Sequence, residues 1–240
     1  MILGIETATT ICSVGLATPE RMLAEIGFDI KNLHDQVLTE SIAQVLRLTN
    51  HRIDDVQAIA VSAGPGSFTG LRIGMSVAKG LAFTHNKPMI AVSTLLSQAA
   101  AAATYAEAFT RGHAIESCHI VPIISSRRHE IYTASFRLAT PLPILVSAER
   151  VMKAVDFPAT LSSRAVICGN GIAALREAGV LEQLREHYLV PMESARLSGG
   201  MVARLGQVKW ARGEVTSAEN LEPFYAQDFV TGPTAPHERI

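Results

Sequence analysis

The order of elements along these 240 residues predicts an α/β fold built twice, as two lobes. Two observations predict it. Three short β-type runs followed by a helix–strand–helix series occur twice along the chain, and each set leaves a sheet that helices must cover. The composition, 48% hydrophobic and 18% charged, is that of a chain with large packed cores. No short-period repeat and no low-complexity segment competes with this reading.

The elements follow in order. Ile2 to Glu6, Cys12 to Ala17 and Leu23 to Phe28 read as strands joined by tight turns, the first turn being the hydroxyl-rich Thr7-Ala8-Thr9-Thr10. A helix is predicted over Asp35–Thr49, because Leu38, Ile42, Val45, Leu46 and Thr49 fall at i, i+4, i+7, i+8 and i+11. Val37 and Leu48 widen its apolar surface. A strand at Ala58 to Ala63, a helix after Gly70, a strand at Pro88 to Val92 and a helix from Thr94 to about Ala108 complete the first set. Thr110 to Ser117 reads as a boundary. The second set has strands at Ile120 to Ile124, Glu130 to Phe136 and Pro143 to Ser147, with a helix near Ala148 to Ala154. A strand at Ala165 to Cys168 then ends in Gly169-Asn170-Gly171, followed by helices at Ile172 to Ala178 and Ala195 to Arg212. The expected division is a first lobe over 1–108, a second over 109–228 onto whose partner the 195–212 helix packs back, and a loose tail over 229–240.

Residues 64–70, GPGSFTG, hold three glycines and a proline between a β run and a helix. Such a loop can cradle an anion at the helix start. The spacing departs from both standard phosphate loops. No lysine follows Gly70, and Gly64, Gly66 and Gly70 give G-x-G-x-x-x-G, one residue longer than the dinucleotide fingerprint, which favours a structural turn. The helix beyond it is apolar nearly all round, with Arg72, Ser76 and Lys79 its polar residues up to Phe83. Gly70, Gly74 and Ala78 form a small-residue row that admits close helix contact. Two readings stand: a central helix within one domain, or a helix shared with a partner protein.

Charge and cysteines exclude several classes. A net charge of −1 without a basic run makes the chain a poor solitary binder of nucleic acid. Three separated cysteines with no CxxC suggest reduced thiols in the cytoplasm. MILGIET reads as a strand, not a signal peptide, and the alanine run at 99–103 is too short to cross a bilayer.

The segments ILGIETAT-x-x-CSVGLA, Leu33-His34-Asp35, GPGSFTGLRIGMSVAKGLA and Pro88-x-x-Ala91-Val92-Ser93-Thr94-Leu95 together resemble the bacterial TsaB family, also called YeaZ. Arg127-Arg128 before Glu130-Ile131-Tyr132 is similar to that family's second-lobe strand pair. The resemblance implies an actin-like, sugar-kinase-like (ASKHA) fold. It also implies a non-catalytic subunit, without cofactor, in the making of threonylcarbamoyladenosine beside the tRNA anticodon. Its implied partners are a TsaD-like catalytic paralogue and a TsaE-like ATPase, with tRNA met only through the complex and a homodimer formed when the chain is alone. The interface is expected on the two helices, at Leu38, Ile42, Val45, Leu46, Gly70, Leu71, Gly74, Met75, Ala78 and Lys79.

The residues themselves point away from catalysis. The eight histidines include no H-x-x-x-H pair and no HExxH, so neither a metal site nor a metallopeptidase is expected, and His34 reads as a helix-start or surface histidine. Pro65 stands where a hydrolase elbow around Ser67 needs glycine. The alternative function is an ATP-binding phosphotransferase or ATPase of the same superfamily. It needs acidic anchors, whereas Glu6 stands where relatives often carry Asp and Ser125 where many carry Asp. What remains is a vestigial nucleotide cleft at Glu6, Thr7, Thr9, Arg127, Gly169 and Gly171. Near the C-terminus, Pro223-Phe224-Tyr225-Ala226-Gln227 departs from the family's Tyr-Leu-Arg.

Overall fold

Near-continuous apolar and small residues make β1 (Ile2–Glu6) a strand buried on both faces, and the same holds for β2 (Ile11–Ala17) and β4 (Ala58–Gly64). The computed structural model describes residues 1–112, 118–127 and 129–224. The expected tail and most of the boundary stretch lie outside them. With β3 (Met22–Asp29) and β5 (Met89–Ser93), the first sheet has the order β3-β2-β1-β4-β5. β1, β2 and β3 pair antiparallel, while β1, β4 and β5 run parallel.

The second sheet repeats the pattern with β6 (His119–Ser125), β7 (Glu130–Arg137), β8 (Ile144–Lys153), β9 (Ala165–Cys168) and β10 (Tyr188–Leu189), in the order β10-β9-β6-β7-β8. This is the duplicated, actin-like architecture expected. Each sheet has two faces, and each face has its own apolar layer. α1 (His34–Leu48) and α2 (Phe68–Thr84) cover one face of the first sheet, and α6 (Gly199–Ala211) covers the other through Val202 and Leu205. α3 (Thr94–Ala101) and α4 (Ala103–Gly112) pack on the second sheet, whose far face is closed by α5 (Ile172–Glu177) with Phe157 and Leu184.

Several elements differ from the expectation. Residues 148–153 are not helical but continue β8, because Tyr132 pairs with Val151 and Ile131 with Met152 in the antiparallel ladder. The helix after Thr94 breaks at Ala102 into α3 and α4. The last helix starts at Gly199, not Ala195. Ser198 caps it by accepting from the Met201 amide, and Ala195 and Leu197 are buried ahead of it.

α6 lies against β1 and β2 so closely that glycine is required on both sides. A Cβ on Gly4 would overlap the Gly199 carbonyl oxygen and the Ala203 nitrogen, and one on Gly15 would overlap the Gly200 backbone. Gly199 N also donates to Ser13 Oγ at 3.0 Å. Beyond α6 the chain stays on the first lobe: Thr216 bridges to Met89, Leu221 enters the core under α1 and α2, and Phe224 N donates to Ala63 O at 2.6 Å.

Candidate functional site

The carboxyl ends of β1 and β4, together with the starts of α1 and α2, face the second lobe across a cleft of about 600 Å³. In open α/β sheets this is where ligands sit. The first lobe supplies the turn at 8–10, Lys31, His34, Asp35 and the loop 66–70, and the second supplies Ser125, Ser126, Arg127, Tyr132 and Asn170. Phe224 lines one wall. A smaller pocket of about 150 Å³ shares Thr9, Thr10 and Asn170 with it, and reaches Asp29, Gln98 and Arg196.

The loop geometry follows from its residues. Gly64 takes φ +112°, which only glycine adopts without strain, and the Gly64–Pro65 bond is cis. Ser67 caps α2, accepting from Gly70 N at 3.3 Å, while its own amide donates to Ala8 O at 2.7 Å. The turn and the loop are thereby tied together. His34 ties the turn to α1: its Nε2–H faces the carbonyl oxygens of Thr9 at 3.0 Å and Ile11 at 3.2 Å. Two acceptors at one nitrogen fix the tautomer. His34 is buried, so the histidine opens the helix as expected but does not lie on the surface.

Of the residues expected in a vestigial cleft, Thr9 and Arg127 line the cavity. Glu6 and Thr7 do not: both are fully buried beneath it. Glu6 Oε1 accepts from Ala8 N at 2.7 Å, and Oε2 has no protein partner among the described residues. Burial pushes its pKa up to about 7, against the amides of Ala8 and Thr7 and the Ser62 hydroxyl, which favour the charged form. Gly169 and Gly171 shape the wall without lining it. Gly169 has φ +108°, and Gly171 N donates to Ile123 O, so that Asn170 between them reaches the cleft. Asn170 Oδ1 accepts from Ser125 N at 2.9 Å, and Ser125 Oγ donates to the Asn170 carbonyl at 3.2 Å. Lys31, Tyr132, Asn170 and Phe224 were not singled out from sequence. Asn170 alone carried a signal, as the residue between two glycines at a strand's end.

The residues expected at a partner interface need a correction. Leu38, Ile42, Val45 and Leu46 lie in this chain's own core, as do Leu71, Met75 and Ala78. The small-residue row faces inward too: a Cβ on Gly70 would overlap Thr7 O, and one on Gly74 would overlap Thr7 Oγ1. The row admits the β1 turn, not a foreign helix. The obstacle at Gly70 is a backbone carbonyl and at Gly74 the fully buried side chain of Thr7, so Gly70→Ala and Gly74→Ala should each destabilise, by about 2 kcal/mol. Urea midpoints unchanged from the parent in both variants would show that Thr7 does not set this packing. Of the expected set, Lys79 alone is half-buried rather than buried; what α1 and α2 otherwise expose is Leu48 at 72% and Phe83 at 78%, with Arg72 and Ser76 also exposed and Ile73 and Val77 half-buried.

Among the described residues no three His, Cys, Asp or Glu side chains come together as a metal site would require. No described helix is long and apolar enough to cross a membrane.

The family described as "TsaD: tRNA N6-adenosine threonylcarbamoyltransferase" matches residues 29–178. The chain belongs to this family. Its relatives include proteins of the TsaB/YeaZ kind. It is 35% identical over 136 residues to the tRNA threonylcarbamoyladenosine biosynthesis protein TsaB of Escherichia coli, a match covering 57% of this chain and about half (54%) of that protein. To the TsaB of Haemophilus influenzae it is 26% identical over 96% of this chain and 94% of the other. Among solved structures, YeaZ from Pseudomonas aeruginosa superposes with a TM-score of 0.74 at 27% identity, over 93% of this chain and 99% of that one. The ethanolamine utilization protein EutJ of Carboxydothermus hydrogenoformans, at 10% identity and a TM-score of 0.50, shares the fold alone.

Proposed function

We propose that this chain is a non-catalytic subunit in the biosynthesis of threonylcarbamoyladenosine in tRNA, acting in the cytoplasm by binding and activating a TsaD-like catalytic paralogue together with a TsaE-like ATPase. The names of its relatives support the pathway. The observation that carries the subunit role is the position of Glu6. Chemistry on a phosphate in this cleft would need a carboxylate at the first turn, and here that carboxylate is sealed under the cavity with one oxygen committed to Ala8 N. A subunit that binds only its partner's competent state raises that state's population by its differential affinity, without touching substrate.

The partner surface we assign is the outer face of α1 and α2, centred on Leu48 and Phe83, rather than the buried row. Two large apolar side chains more than 70% exposed on neighbouring helices are suited to become anchors of an interface. The same face would pair two copies when the partner is absent.

Phe83→Glu with Leu48→Glu should abolish co-purification with a TsaD-like protein and cut tRNA modification in a reconstituted assay by at least about tenfold. Both side chains are exposed, so the melting temperature should hardly move. Steady ATP turnover by the pure chain, or full modification with the doubly substituted chain, would overturn this reading.

A further inference from the structure

We propose that the smaller pocket binds a small organic molecule through a primary ammonium group. The pocket holds about 150 Å³, too little for a nucleotide and about what a molecule of roughly six heavy atoms fills. It lies where the turn at 9–11 and the end of β3 meet α3 and the segment 192–197 that leads towards α6.

Gln98 is the residue that points to a ligand. It is 3% exposed, and its Nε2 donates to the Ala195 carbonyl. That bond fixes the orientation of the amide and leaves Oε1 without a donor among the described residues. Nor is Oε1 sealed inside the protein: the sliver of surface that Gln98 keeps opens on this pocket. A carbonyl oxygen held at the wall of a cavity takes its donor from whatever fills the cavity.

The rest of the wall says what kind of donor fits. Three charged side chains line the pocket, Asp29, Glu193 and Arg196. Asp29 is already committed: its Oδ1 accepts from Thr10 Oγ1 at 2.6 Å, and its Oδ2 lies 3.4 Å from the Arg196 guanidinium. Glu193 is in no ion pair among the described residues. The three charges leave the pocket one positive charge short. An ammonium group supplies that charge with three donors and no acceptor, which suits Gln98 Oε1 together with a carboxylate oxygen. Ile11, Met192 and Leu197 form an apolar stretch of the lining, where a short alkyl chain packs and a bare inorganic cation gains nothing.

Calorimetric titration of the full chain at pH 7 with n-butylamine hydrochloride tests this. Saturable binding is expected, with a Kd on the order of 1 mM. n-Butanol has the shape without the charge, and tetramethylammonium the charge without N–H donors. Both should bind at least about tenfold more weakly. Glu193→Gln, at an exposed side chain, should weaken amine binding about tenfold without moving the melting temperature, whereas Glu182→Gln, outside the pocket, should leave it unchanged. No saturable heat up to about 20 mM, butanol or tetramethylammonium binding as tightly as the amine, or indifference to Glu193→Gln would each overturn the proposal. Partner binding on the α1–α2 face is read by co-purification, so either property fails without the other.

Discussion

Gly199→Val should destabilise the protein by about 3 kcal/mol, lowering its melting temperature by roughly 6–12 °C, whereas Gly80→Ala should stabilise it by about 0.5–1 kcal/mol. Both glycines are helical, and their surroundings decide the sign. A Cβ at Gly199 would lie 2.6 Å from Gly15 N and 2.7 Å from Ser13 O, backbone atoms of a central strand that have nowhere to go. At Gly80 nothing lies within 4 Å, so alanine meets no obstacle and gains helix propensity. α6 would have to lift from the sheet to admit valine, uncovering the layer around Val202 and Leu205. Thermal melts of the two variants beside the parent decide the matter. A Gly199→Val chain that melts like the parent would mean that α6 does not need its close seat.

Glu6→Gln should flatten the dependence of stability on pH and raise stability at pH 8 by up to about 3 kcal/mol. The sign follows from proton binding. Glu6 is raised from 4.5 to about 7 in the folded chain, so between those values the folded state holds a proton that the unfolded state has lost. Stability therefore falls as pH rises from 4.5 to about 7, and stays reduced above it. At about 1.4 kcal/mol per pH unit, the full loss is about 3 kcal/mol. Glutamine keeps an oxygen for Ala8 N and cannot ionise. Urea unfolding at pH 5 and pH 8 measures the effect, and an unchanged pH slope in the glutamine variant would place its source elsewhere.

Most of the fold was legible because periodicity reports burial. β1 and β4 read as strands, and α1 as a helix, from the same residues that fill their cores. Where the reading failed, burial was real but its cause was mistaken. The apolar circumference of α2 and the row Gly70, Gly74, Ala78 speak of close contact on several sides, yet a sequence does not say whether the neighbour is another protein or Thr7 of the same chain. Residues 148–153 were misread because AERVMK suits a helix locally, and only pairing with β7 makes it a strand. The cleft was half legible. Glu6 was expected in the cleft, but its carboxylate lies beneath it, held by Ala8 N, and Lys31 and Arg127 line one cavity only because two lobes fold towards each other.

The seat of α6 also bears on the order in which the molecule can be completed during translation. Residues 199–211 roof a sheet whose strands lie between residues 2 and 93, and Leu221 and Phe224 are stitched to the same lobe. All of them leave the ribosome after the whole second lobe. The early strands must therefore wait, with Ile2, Ala60 and Ile90 uncovered, until about a hundred further residues have been made, some 5–20 seconds at ordinary elongation rates. The amino-terminal lobe is thus the first to be synthesised and the last to close, and that interval is when the nascent chain most needs a chaperone's shelter.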